Sequence, residues 1–296
     1  MLQFHIYDVF TDTAYSGNPL AIVEGADTLT GAQMQKIAGQ FNLSETIFML
    51  AASGATKIPV RIFTPQHEMP FAGHPTIGCA VHAATFGQSG DLETQIVLAE
   101  QAGDVPVQVS RSGQLVTAEF KAPVTPGATP LAMEPDQIAG ALGLVSAELG
   151  EHRAHVTTGG HPFVHIALRD AGALSRAKPS EPAFSALADI AGTGSVYVYA
   201  PAVEPGLDYE ARMFAPLAGI SEDPATGSAT TLLAGQLLAN GALKDGKREL
   251  RICQGRDMGR KSDLTLRVGV SGGVIGEVHV GGSAVQVASG SIAPPS

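Results

Sequence analysis

The sequence lacks tryptophan altogether, and aromatic residues make up only 5% of its 296 positions. Cysteine is nearly absent too. Cys79 and Cys253 form no CxxC pair and no metal-like spacing, which excludes a thiolate metal centre of standard pattern. No stretch approaches the roughly 18 apolar residues a membrane helix needs. The opening MLQFHIYDVF has no basic stretch followed by an apolar run and a cleavage site, so it does not read as a signal peptide, and the expected compartment is the cytoplasm. No run of Lys or Arg relieves the formal net charge of -10, which argues against nucleic acid as a partner. No GxxxxGK phosphate loop and no low-complexity segment is found.

What is present is apolar and glycine-rich. Hydrophobic residues make up 44% of the chain and charged residues 16%, enough for one or two real cores and against disorder. The 35 glycines point to many tight turns between short strands. The length suits about two domains of ordinary size.

Alternation of β-formers predicts strands in LQFHIYDVF, NLSETIFML, KIPVRIFTP, GQLVTAEFKA, HVTTGGHPFVHIAL and GSVYVYAPAV, and again from Glu249 to Val287. Helical spacing appears over Thr30 to Phe41, in HPTIGCAVHAATFG, in PDQIAGALGL and in PATGSATTLLAGQLLANG. Ala122–Pro135 is Pro- and Gly-rich and reads as an internal linker, and the closing SIAPPS reads as frayed.

One internal repeat stands out. Arg61-Ile-Phe-Thr-Pro65 resembles Arg212-Met-Phe-Ala-Pro216, and each precedes a helix start, His74-Pro75-Thr-Ile-Gly78 or Asp223-Pro224-Ala-Thr-Gly227. Proline is tolerated at a first helical position because its missing amide would be unpaired there anyway. The preceding residue is then the cap. Asp223 suits that place, whereas His74 does not and asks for another reason. The glycine three residues after each proline is expected to open room for a ligand near the backbone. Two such starts would offer first-turn amides to a carboxylate, one way an acidic chain can hold an anion. The mirrored placing of Arg61 and Arg212 suggests a shared structural role.

These same stretches resemble the PhzF-like family, which has the diaminopimelate epimerase fold. The resemblance is carried by DVFTDTAYSGNPLAIV (Asp8–Val23), LSETIFM (Leu43–Met49), RIFTPQHEMPFAGHPTIG (Arg61–Gly78), RMFAPLAGISEDPATGSA (Arg212–Ala229) and QGRDMGRKSDLTL (Gln254–Leu266). It implies an α+β chain of two pseudo-symmetric domains, each a barrel-like sheet around a central helix, with the active site in the cleft between them. The central helices would begin at Pro75 and Pro224. The domains would be residues 1–122, completed by 284–296, and residues 123–283. The family implies a homodimer and neither metal nor organic cofactor. In two respects the chain departs from related patterns. Racemase relatives carry a cysteine at each helix start, and none stands there here. Lys261 occupies a position where many members have Pro, and no function is attached to it.

By the resemblance, Glu45 is the acid/base group, with His74 and Asp223 beside it in catalysis. Ser44, Gly73, Gly227 and Ser228 would contact the substrate. From the residues alone, Glu45 is an ordinary turn carboxylate and Asp223 a cap, while His74 is either a structural histidine or, from its odd fit as a cap, a site residue. A carboxylate in an apolar cleft can have its pKa raised so that it both takes and returns a proton. His152, His155, His161 and His165 fit no standard zinc spacing and are not expected to bind metal. The expected activity is a proton shift on a small carboxylate-bearing substrate. The alternatives are an epimerase or racemase of a small amino or hydroxy acid, and a binding protein that keeps the fold without turnover.

Overall fold

The alternating residues at the start form β1 (Leu2–Val9), whose buried side chains face a helix. The computed structural model describes residues 1–51 and 57–296. The chain divides into two compact units, Met1–Lys121 with Gly281–Ser296, and Ala122–Val280.

In the first unit β1 is followed by β2 (Asn18–Val23), α1 (Gly31–Phe41), β3 (Glu45–Met49), β4 (Lys57–Phe63), β5 (Glu68–Met69), α2 (Gly73–Thr85), β6 (Leu92–Glu100), β7 (Gly103–Ser112) and β8 (Leu115–Lys121). The second unit has β9 (Gly127–Pro130), α3 (Pro135–Ala141), β10 (His155–Thr158), β11 (Phe163–Ala167), α4 (Ala171–Arg176), α5 (Ala183–Ala191), β12 (Val196–Pro201), β13 (Tyr209–Ala215), β14 (Ile220–Asp223), α6 (Gly227–Ala239), β15 (Gly246–Gln254) and β16 (Ser262–Ser271). The chain returns to the first unit within β17 (Val274–Ile292).

The duplication read from two short motifs extends to the strand pairing. In the first unit β17 pairs antiparallel with β1, and β1 antiparallel with β2. Then β2–β3 is parallel, β3–β4 antiparallel, β4–β6 parallel and β6–β7 antiparallel. In the second unit β9–β10 and β10–β11 are antiparallel, β11–β12 parallel, β12–β13 antiparallel, β13–β15 parallel and β15–β16 antiparallel. The order and sense are the same. The short β5 and β14 occupy equivalent places, each hairpinned onto β4 or β13.

A parallel pair needs a crossover between its strands. In the first unit α1 supplies it. Thr30 accepts the amide of Gln33 at 3.3 Å while Gln33 Oε1 accepts the amide of Thr30 at 2.9 Å, a reciprocal cap. The helix buries Met34, Ile37 and Ala38 in a core with Val23, Phe48 and Phe63. It stops at Asn42, whose φ of 51° is left-handed. Three residues later Glu45 opens β3. In the second unit α4 and α5 fill the same place. The sequence pattern did not mark these two short helices, and they bury Ala173, Leu174, Phe184 and Leu187.

Each unit has one helix buried nearly all round, α2 and α6. Helix α2 packs against β1, β2, β3, β6, β7 and β8, and α6 against β9, β10, β11 and β16. The approach of α2 to the sheet is close at Gly78, where an added Cβ would lie 2.5 Å from Leu20 Cδ2 and 2.8 Å from Val9 Cγ2. Gly78 therefore serves helix–strand packing and not, as its place after Pro75 suggested, ligand access.

Two expectations about irregular segments are corrected. The presumed linker Ala122–Pro135 contributes β9, which pairs with β10. The tail expected to fray pairs as far as Ile292 with Leu2, and Gln33 Nε2 then donates to the carbonyl of Pro295 at 2.7 Å.

Candidate active site

The helix starts do not lie where the prolines suggested. Helix α2 begins at Gly73, with Ala72 as its N-cap, so Pro75 is its third residue and His74 its second. Helix α6 begins at Gly227, with Thr226 as its N-cap, three residues beyond Pro224. Neither His74 nor Asp223 is a cap, and neither helix has a side-chain cap. The repeat is in a different register. Glu68-Met-Pro70-Phe-Ala-Gly73 matches Glu222-Asp-Pro224-Ala-Thr-Gly227, each ending on the first helical residue. Pro70, not Pro75, is the counterpart of Pro224.

The arginines explain that register. Arg61 on β4 donates from Nε and Nη2 to the two carboxylate oxygens of Glu68, both at 2.6 Å. Arg212 on β13 makes the same two-pronged pair with Glu222 at 2.8 Å. The guanidinium carbons lie 5.1 Å and 4.9 Å from the rings of Phe63 and Phe214. In each unit the pair ties the segment leading into the central helix to the sheet, a planar two-point contact that fixes direction as well as distance. The structural role expected of both arginines holds, and the partners are Glu68 and Glu222.

In the first unit the candidate residues converge. Ser44 and Glu45 end the α1–β3 turn, and Gly73 and His74 open α2. Nδ1 of His74 lies 3.0 Å from Oε2 of Glu45, with side-chain exposures of 5% and 16%. The contact is off the line a hydrogen bond needs. Oε2 of Glu45 and Nε2 of His74 are both buried without a hydrogen-bond partner. Buried polar atoms normally have partners, and these two unpartnered atoms belong to neighbouring side chains.

Two further residues at this helix end were not anticipated. Thr76 Oγ1 lies 2.8 Å from the carbonyl of Ala72 and 2.7 Å from Oε1 of Glu100. One hydroxyl proton cannot serve both acceptors. Burial pushes the Glu100 carboxyl up to about 8, so at neutral pH it carries its own proton and donates to Thr76, which donates to Ala72. Glu100 sits at a strand end with no motif around it, and only the fold brings it to α2.

In the second unit Asp223, Gly227 and Ser228 stand together at the α6 start. Asp223 is buried, and its Oδ2 accepts the hydroxyl of the cap residue Thr226 at 2.6 Å. Gln254, fully buried, donates to the Asp223 carbonyl at 2.8 Å and accepts the Thr226 amide at 3.1 Å. Asp223 thus orders the cap instead of being it. Ser228 is half-buried, in the first turn.

Both thiols are buried. Burial holds Cys79 far above the ordinary thiol range and pushes Cys253 up to about 11, so neither supplies a thiolate near neutral pH. The histidines His152, His155, His161 and His165 hydrogen-bond separately: His152 to Tyr199, His155 to Gln236, His161 to Ser195, and His165 to Thr157 and the Ala229 carbonyl. Lys261 lies 3.3 Å from Glu204 and 3.7 Å from Asp263 in a surface ion-pair group. A cavity of about 930 Å3 lies in the second unit beside Met133, Glu134, His152 and Arg153, and includes none of the candidate residues.

The model of the phenazine biosynthesis-like protein family, PhzC-PhzF, matches residues 7–290. The chain belongs to that family. An uncharacterized isomerase of Mesorhizobium japonicum is 40% identical over 298 residues, covering 98% of each chain. A trans-2,3-dihydro-3-hydroxyanthranilate isomerase of Pseudomonas chlororaphis is 33% identical over 293 residues, covering 99% of each. A PhzF-family phenazine biosynthesis protein of Bacillus anthracis, 24% identical, superposes with a TM-score of 0.88 over 99% of each chain. The fold of this PhzF-family chain is α+β, of the diaminopimelate epimerase type, and the chain is an isomerase. Among the described residues no helix is long and apolar enough to cross a membrane.

Proposed function

We propose that this isomerase works without cofactor, moving a proton on a small carboxylate-bearing substrate with Glu45 as the acid/base group. The observation that carries the reading is the pair of half-buried Glu45 and buried His74, 3.0 Å apart, with Oε2 and Nε2 left without hydrogen bonds. A carboxylate so placed can take a proton from an activated C–H and return it to another carbon on the same face. One base suffices for such a shift. His74 is proposed to donate a hydrogen bond to the substrate or to relay its proton. Ser44 and Gly73 flank the pair. Asp223, Gly227 and Ser228 are proposed as substrate contacts, with first-turn amides stabilising negative charge as the C–H ionises. The relative of Pseudomonas chlororaphis is named for trans-2,3-dihydro-3-hydroxyanthranilate, a small carboxylate, which fits this class. The family resemblance also supports a homodimer.

Glu45→Gln tests the assignment with trans-2,3-dihydro-3-hydroxyanthranilate as trial substrate. It keeps the shape but cannot carry a proton. The variant is expected to melt within a few degrees of the parent, bind as well, and turn over roughly a hundred- to ten-thousand-fold more slowly. Uptake of deuterium from solvent should fall in parallel. Near-parental turnover in the variant defeats the reading.

A further inference from the structure

His5, Glu24 and His82 come together in the first unit, well away from the Glu45–His74 pair. They are 77 residues apart at the extremes and share no sequence motif. The hairpin of β1 and β2 brings in His5 and, just past its end, Glu24. The third turn of α2 brings in His82. His74 and His82 are eight positions apart on that helix, which puts them about 12 Å apart along its axis.

Nε2 of His82 lies 2.6 Å from Oε1 of Glu24, and Nε2 of His5 lies 3.4 Å from the same oxygen. All three ligand atoms lie within 4.8 Å of one another. Both imidazoles are buried, and the Nε2 of His5 makes no hydrogen bond. Two imidazoles and one carboxylate suit a borderline divalent ion. Around such an ion, bonds of about 2.0–2.2 Å hold ligand atoms a little over 3 Å apart. The His5–Glu24 separation already has that size, and the His82–Glu24 pair has to open by about half an ångström.

The surroundings suit ligation as well. A histidine that binds metal through Nε2 keeps its proton on Nδ1 and needs an acceptor there. The Nδ1 of His82 lies 3.1 Å from the hydroxyl of Tyr7, and the Nδ1 of His5 lies 3.1 Å from the side-chain amide of Gln286. The Gln286 amide offers an acceptor when turned end for end. The ring of Phe86 packs on both imidazoles, with centroids at 4.7 Å and 4.9 Å. Glu24, with its side chain 35% exposed, leaves a path for an ion and a fourth position for water.

We propose that His5, Glu24 and His82 form a binding site for a zinc-class divalent metal ion, separate from the proton-transfer site. Its position between the β1–β2 hairpin and the far end of α2 makes it a clasp on the fold, so its loss lowers stability and leaves the chemistry in place.

The full-length chain, dialysed against a strong chelator, is titrated with Zn2+ and separately with Co2+. The expected result is one ion per chain, a rise in Tm with added Zn2+, and Co2+ absorption of a low-coordinate nitrogen–oxygen site. Glu24→Gln keeps size and hydrogen bonding at a partly exposed position. It should weaken binding more than about ten-fold and abolish the Tm rise, and His82→Asn should do the same. If His82→Asn does not fold, Glu24→Gln decides alone. Absence of stoichiometric binding by the parent, or equal binding by Glu24→Gln, overturns the proposal.

Discussion

Oε1 of Glu100 stands 2.7 Å from Oγ1 of Thr76, in the first turn of the first unit's central helix. Because burial raises the Glu100 carboxyl to about 8 from an ordinary 4.5, the folded chain holds a proton there over a pH range in which the unfolded chain has released it. Stability from this group is complete below about 4.5 and is lost as pH rises through about 8. The effect is of the order of a few kcal/mol. Thermal melts from pH 5 to 9 should therefore decline for the parent and decline less for Glu100→Gln, which stays neutral. Parallel curves would mean that Glu100 is ionised in the fold.

The two Arg–Glu pairs should differ in their worth. Arg212 is the more buried, with a side-chain exposure of 12% against 33% for Arg61. It also donates to the carbonyls of Leu174, Ser175 and Ala177. Lysine cannot make a two-pronged contact. Arg212→Lys is expected to lower unfolding free energy by about 3 kcal/mol, and Arg61→Lys by about 1 kcal/mol, as measured by denaturant melts. Equal losses would remove the distinction.

Asp223 accepts a hydrogen bond that asparagine can also accept, so Asp223→Asn should leave Tm within a few degrees of the parent. Binding of a carboxylate ligand and turnover should still fall about ten-fold or more if Asp223 touches substrate. Unchanged binding and turnover would confine Asp223 to ordering Thr226.

Neither thiol should matter to turnover. Native protein exposed to an alkylating reagent is expected to keep its activity, with both cysteines unlabelled by mass spectrometry until the chain is unfolded. Labelling of Cys253 in the native state with matching loss of activity would place a thiol in the mechanism.

Much of this fold is legible along the chain because its strands alternate and its first helix carries its cap in Thr30 and Gln33. The repeat is legible as well, through Arg61 and Arg212. Its register is not, because proline is tolerated both just before a helix and within its first turn. The cue that resolves it is Glu68 and Glu222, recognisable only once each is seen to hold its arginine. The helices α4 and α5 leave only short apolar patterns, and the parallel pairing of β11 with β12 is what requires a crossover there. At the candidate site, Glu45 and His74 stand in separate motifs, and each looks ordinary alone. Their 3.0 Å approach is a product of tertiary structure. Glu100, Gln254 and the His5–Glu24–His82 group have no local spacing to betray them, since their partners lie on distant segments.

The pairing of Leu2 with Ile292 has a consequence for biosynthesis. On the ribosome β1 emerges before every other strand described, and one of its two neighbours, β17, emerges after all of them. Until then the first unit keeps an unpaired strand edge, while all of the second unit, which ends at Val280, precedes the residues that fill it. The first unit is therefore expected to complete its sheet only after the second unit has been synthesised, its β1 edge waiting for residues 284–292.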